Sequence, residues 1–122
     1  MADQLRVLIV DDMPDSADSV VFTLELAGME ARAVYGGRQA LDVVESWIPN
    51  VAIIDLGMPG ISGLELGPML RRKFGRDIRL VAYTGWDRGP DRRAAFDAGF
   101  DAFVVKPSVP AELVAAVVGS AS

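Results

Sequence analysis

Four short apolar runs in this chain each deliver a chemically loaded residue at their carboxyl end. RVLIV runs into Asp11 and Asp12, VAII into Asp55, LVAY into Thr84, and AFVV into Lys106. These β-rich runs alternate with longer amphipathic segments, which favours βα units over a helix bundle or a sandwich, and five such units can be counted. In an open α/β sheet, ligands gather in the crevice outside the carboxyl ends of parallel strands. Residues that end separate strands therefore meet in space however far apart they lie in sequence. The four runs point to one site.

Length and composition fit one such sheet. The 122 residues lie near the modal domain size, and 51% hydrophobic content supplies a full core, so a single domain over residues 1–122 is expected. No internal repeat, linker or second domain is visible. A net charge of −5 argues against nonspecific DNA binding, and with no His and no Cys the usual ligands of a structural zinc are missing. Any metal must be held mainly by oxygen, and no disulfide can form. No apolar stretch approaches the roughly 20 residues of a membrane span, and the polar MADQ start does not read as a signal peptide. A soluble, cytoplasmic protein is the expectation.

The first strand covers Leu5 to Val10, and Pro14 suits the first turn of a helix whose Val20, Val21, Leu24 and Ala27 recur at helical spacing before Gly28. Glu30 to Tyr35 makes a shorter strand, Gly36 and Gly37 a turn, and Ala40, Leu41, Val44 and Trp47 the apolar stripe of a second helix that ends before Pro49. Val51 to Ile54 delivers Asp55. The following LGMPGISG is a loop that passes backbone close to something at the strand end. A third helix occupies some part of Leu64 to Phe74. Irregularity is expected at Gly67–Pro68, because an interior proline removes a donor and costs on the order of 3 kcal/mol. Ile78 to Tyr83, Asp91 to Ala98, Ala102 to Val105 and Pro110 to Val118 complete the pattern as strand, helix, strand and helix.

Three carboxylates gathered at one crevice repel one another, and such a cluster either keeps a proton or holds a hard cation and a positive side chain. Lys106 supplies the side chain. Oxygen ligands with water positions to spare suit Mg²⁺, with Mn²⁺ as a substitute, and Mg²⁺ commonly accompanies phosphate. The Thr84 hydroxyl, the Lys106 ammonium and the metal would surround a phosphoryl group beside Asp55, the arrangement that phosphoryl transfer requires. Asp55 is then a candidate nucleophile forming an acyl phosphate.

At this point VLIVDD, VAIIDLGMPGISGLEL, VAYTG and FVVKP together resemble the receiver domain of two-component response regulators, over almost the whole chain. The resemblance implies a five-stranded parallel sheet in the order 2-1-3-4-5 with five flanking helices. It also implies that the aspartate ending the third strand takes phosphate from a histidine kinase or a histidine phosphotransfer protein. Carried over by motif, Asp55 is the phosphoacceptor, Asp12 a direct Mg²⁺ ligand, Asp11 an acidic partner acting through water, and the Gly57 carbonyl a further ligand. Thr84 and Lys106 contact the phosphoryl group, and the Lys106–Pro107 peptide is cis. Phe103 falls at the switch aromatic, which turns into space vacated by Thr84 and alters the surface of the fourth helix, fifth strand and fifth helix. Residues 85–107 are similar to receivers of hybrid sensor kinases. Gly57 has no side chain to shield or position water, whereas Trp86 can cover part of the site, and their effects on the lifetime of the phosphoryl group oppose.

Each residue also has a plainer reading. Asp11 or Asp12 alone suits a helix cap, Thr84 a turn, Phe103 a core aromatic and Lys106 a surface charge entering a bend. Their joint placement at strand ends is what scaffold alone does not explain. RRKFGR reads as a solvated helix end rather than a nucleic-acid patch. Two other classes compete with the phosphoacceptor. One is a receiver-like interaction module that is never phosphorylated. The other is an aspartyl phosphatase of the haloacid dehalogenase type, whose second acid lies two residues after the nucleophile, a spacing that adjacent Asp11 and Asp12 do not reproduce. With no effector domain in the chain, output would be a protein contact or phosphate relay, from a monomer or weak dimer.

Overall fold

A computed structural model describes residues 4–85 and 89–119. In chain order the elements are β1 (Arg6–Val10), α1 (Pro14–Leu26), β2 (Glu30–Val34), α2 (Gly37–Val43), β3 (Val51–Ile54), α3 (Gly63–Phe74), β4 (Arg79–Thr84), α4 (Gly89–Asp97), β5 (Ala102–Val105) and α5 (Pro110–Val118), with a 3-10 turn at Gly75–Asp77 before β4. The strands form one sheet in the order β2-β1-β3-β4-β5, and every neighbouring pair is parallel. The expected α/β architecture, strand order and helix number are all present.

The apolar runs lack polar alternation because both sheet faces are covered. Leu8, Val10, Ala52, Ile54, Leu80 and Ala82 face the layer that includes Ala40, Leu66, Leu70 and Ala95 from α2, α3 and α4. The residues between them, Val7, Ile9, Val51, Ile53 and Val81, face Ala17, Val20 and Leu24 of α1 and Leu113 and Val117 of α5. The chain leaves β1 for β2 on one side and returns to β3 on the other. The carboxyl ends of β1 and β3 thus flank the point where strand order reverses, where a crevice opens.

Several boundaries differ from expectation. α2 stops at Val43 instead of reaching Trp47. Pro49 disfavours helix in the residue before it, and Trp47 is drawn toward β2, where its Nε1 donates to Glu30 at 3.2 Å and the Arg32 guanidinium lies 4.7 Å from its ring centroid. β4 runs one residue further, because Thr84 pairs with Val105. α4 begins at Gly89, two residues before Asp91.

At Gly67–Pro68 the helix neither starts late nor breaks, and α3 runs from Gly63 to Phe74 with Pro68 inside it. Its start is well secured, since Ser62 Oγ accepts from the Glu65 N–H at 3.3 Å and the Glu65 carboxylate accepts from the Ser62 N–H at 3.0 Å. Gly67 has a packing reason: a Cβ there would stand 2.5 Å from Cε1 of the buried Phe100 ring. Gly67→Ala should therefore destabilise the fold by roughly 1–3 kcal/mol through overpacking. Urea denaturation checks this, and an unchanged midpoint would contradict the close approach.

Candidate functional site

β1 passes directly into Asp11, whose N–H donates to Val34 O of β2 at 3.2 Å, and β3 into Asp55, whose N–H donates to Val10 O at 2.9 Å. These bonds extend the sheet ladder one residue past the strands and hold both acids at the crevice. Asp12 follows at the start of the β1–α1 loop. One carboxylate oxygen from each of Asp11, Asp12 and Asp55 can be chosen so that all three lie within 4.8 Å of one another. Asp11 is 3% exposed. Its Oδ1 accepts from the Met13 N–H at 3.0 Å, so its own loop fixes the carboxylate. Asp55 Oδ1 accepts from the Gly57 N–H at 3.2 Å.

Lys106 enters from the end of β5. Its N–H donates to Thr84 O at 2.8 Å, and its Nζ lies 2.5 Å from Asp11 Oδ2 and 3.5 Å from Asp55 Oδ2. The Lys106–Pro107 peptide is cis, as the resemblance implies. Burial works against the ammonium. The hydrogen bond to Asp11 and the charges of Asp55 and Asp11 outweigh it, so the Lys106 pKa lies above the ordinary 10.5 and the group is a cation at neutral pH. Thr84 closes β4 and is 1% exposed. Phe103 stands apart from the acids, on β5 opposite Ala82, two residues before Thr84. Trp86 lies outside the described residues.

The donor set suits a hard divalent cation, since three carboxylates converge with one neutralising ammonium and neither nitrogen nor sulfur ligands. Chemically the crevice can hold such an ion together with an anionic group.

Gly63 closes the LGMPGISG loop, and a Cβ on it would collide with the Asp55 carbonyl oxygen, so the close backbone approach expected of that loop is made here to the end of β3 itself. Two further residues, Tyr83 and Arg92, are not marked by the sequence as neighbours of the site. The Tyr83 ring lies under the Lys106 ammonium at 5.4 Å, and the Arg92 guanidinium lies over Phe103 at 4.6 Å. Neither stack has a local sequence signature.

Fold and crevice together define a flavodoxin-like α/β protein with an acid-rich site at its switch point. The sequence model of the response regulator receiver domain matches residues 7–118, and the chain belongs to that family. Among curated proteins it is 33% identical over 112 residues to the DNA-binding response regulator MtrA of Mycolicibacterium smegmatis, covering 92% of this chain and 48% of that one. The chain thus spans about half the length of that relative. Among solved structures it is similar to a CheY-like response regulator receiver domain protein from Methanospirillum hungatei, with 27% identity, a TM-score of 0.88 and coverage of 97% and 94% of the two chains. It is also similar to a response regulator from Burkholderia pseudomallei that carries a phosphorylated aspartic acid, a calcium ion and citrate, with 25% identity, a TM-score of 0.86 and coverage of 94% and 66%. The chain is thus a signalling regulator by family. Among the described residues no helix is long and apolar enough to cross a membrane.

Proposed function

We propose that this chain is one phosphoacceptor domain of a two-component phosphorelay, working in the cytoplasm, and that Asp55 accepts the phosphoryl group from a phosphohistidine on a histidine kinase or phosphotransfer protein. The observation that carries the reading is the convergence of Asp11, Asp12 and Asp55 within 4.8 Å, with the Lys106 ammonium against two of them. The Burkholderia relative, with its phosphorylated aspartic acid and divalent ion, supports the same use of such a site.

In the proposed reaction an Asp55 oxygen bonds to phosphorus as the donor's P–N bond breaks. The imidazole leaves with the bonding pair and takes a proton from solvent. A carboxylate nucleophile has no proton to give up as it attacks, so this step calls for no general base. The Gly57 N–H orients Asp55 through Oδ1. Lys106 lies close enough to Asp55 to neutralise charge on the transferred oxygens while its contact with Asp11 keeps the ammonium in the crevice. Thr84, at the buried end of the neighbouring strand, supplies a hydroxyl to the phosphoryl group. Asp11, Asp12, Asp55 and the Gly57 carbonyl would hold Mg²⁺ or Mn²⁺, which supplies charge neutralisation in the transfer. Phe103 then repacks and changes the α4–β5–α5 surface that a partner protein reads. This is a population shift, since phosphate biases only states with which it interacts differently.

Autophosphorylated histidine kinase domains offer the direct test. Label should pass from one of them to this chain with Mg²⁺ present and stop when the metal is chelated. Failure across a panel of such donors, together with an output partner that binds wild type and Asp55→Asn equally, would favour the unphosphorylated interaction module.

A further inference from the structure

Phe103 rests under a cation supplied by another element. The Arg92 guanidinium carbon lies 4.6 Å from the Phe103 ring centroid, within the range of a cation–π contact. The ring is partly buried and packs against the core layer of α2, α3 and α4. Among the nine residues of α4, Ala95 is the one buried residue, whereas α1 buries three residues and α3 four. Apolar anchorage of α4 is thus slight, and the stack on Phe103 is one of the contacts that join it to β5.

We propose that Arg92 is a latch: it holds Phe103 in its resting position, couples α4 to that position, and so sets how strongly the site must be occupied before the output surface changes. The proposal rests on the reading of Asp55 as phosphoacceptor and of Phe103 as the switch. A ring that turns from its place opposite Ala82 toward the Thr84 end of β4 withdraws its face from Arg92. The resting state then has a contact that the switched state lacks, and occupancy of the site must overcome it. The planar guanidinium matters as well as the charge, because it can lie flat on the ring where an ammonium cannot.

The sign of the effect separates a latch from simple attraction of anions. Taking a positive charge away from α4 would weaken an anion's binding if Arg92 acted only through the field. Loss of a latch strengthens it. The probe is Mg²⁺ with beryllofluoride, a tetrahedral anion that adds to a carboxylate as a phosphoryl group does, and its affinity is read by calorimetry.

Arg92→Met keeps an unbranched apolar stem and should tighten beryllofluoride about two- to fivefold, the size of a surface cation–π contact. In a Phe103→Leu background, the same substitution should have no tightening effect, because the ring it acts through is gone. Arg92→Lys should fall between wild type and Arg92→Met. Unchanged or weaker binding by Arg92→Met, or equal tightening in both backgrounds, would overturn the latch. Wild type that binds no beryllofluoride, or binds it equally after Asp55→Asn, would overturn the phosphoacceptor reading and the latch with it.

Discussion

Lys106→Met is expected to slow phosphorylation of Asp55 by about a hundred- to a thousandfold, the usual penalty for removing one preorganised charge-stabilising group. The ammonium is the positive side chain seen against both Asp11 and Asp55, at 2.5 Å and 3.5 Å. Methionine retains the length of the stem but leaves three carboxylates without it. Rates from acetyl phosphate, followed by intact mass, check the effect. A loss under about tenfold would show that the other groups suffice, since that corresponds to only ~1.4 kcal/mol.

The same substitution should lower stability without metal by roughly 3 kcal/mol, because Asp11 is left buried beside like charges. The sign with pH follows from the raised Lys106 pKa. Its stabilisation is complete below the ordinary 10.5 and is lost as pH rises through the higher folded value, so the gap between wild type and variant closes only above 10.5. Mg²⁺ should narrow that gap at neutral pH by taking over the neutralisation.

Arg71→Met should have its large effect on stability and spare the site. The Arg71 guanidinium donates to four acceptors at 2.7 Å: Gly75 O, Ile78 O, Gly99 O and Asp101 Oδ2. It therefore ties the end of α3 to the segments that lead into β4 and β5. Asp101 keeps the Leu80 N–H at 2.9 Å and the exposed Arg76 at 3.7 Å, but the three carbonyls lose a charged donor. The Arg71 and Asp101 side chains are only 17% and 19% exposed, so water replaces these bonds poorly. A loss of about 3 kcal/mol follows, which in a domain of this size lowers Tm by on the order of 10 °C. The network sits at the amino ends of the strands, across the sheet from Asp55, so phosphorylation of the folded variant should match wild type. A change in Tm of only a degree or two would mean that the network contributes little.

The parts legible in sequence were those written locally. A strand covered on both faces is a short apolar run, and a residue that ends it is placed at the crevice by the chain's own direction. Asp11, Asp55, Thr84 and Lys106 could therefore be located before any contact was known. Arg71 and Arg92 could not. RRKFGR gives no local sign that one of its arginines turns inward to reach Gly99 and Asp101, 28 and 30 residues away. Arg92 lies in a polar stretch whose partner is on the next strand. Pro68 does not end α3, because propensity counts its missing donor but not the Ser62–Glu65 cap or the packing of Gly67 on Phe100 that secure the helix around it. Trp47 lies past the end of α2, yet its N–H still donates to Val43 O at 3.0 Å and it packs in one layer with Ala40 and Val44, while its contacts to Glu30 and Arg32 on β2 have no local sign in the sequence.

Whether Asp55 accepts a phosphoryl group is decided by intact mass after incubation with Mg²⁺ and acetyl phosphate, with Asp55→Asn alongside. One added phosphoryl group is expected on wild type, removed by alkali as an acyl phosphate should be, and none on the variant. No addition to wild type, or equal addition to both proteins, would contradict the phosphoacceptor reading.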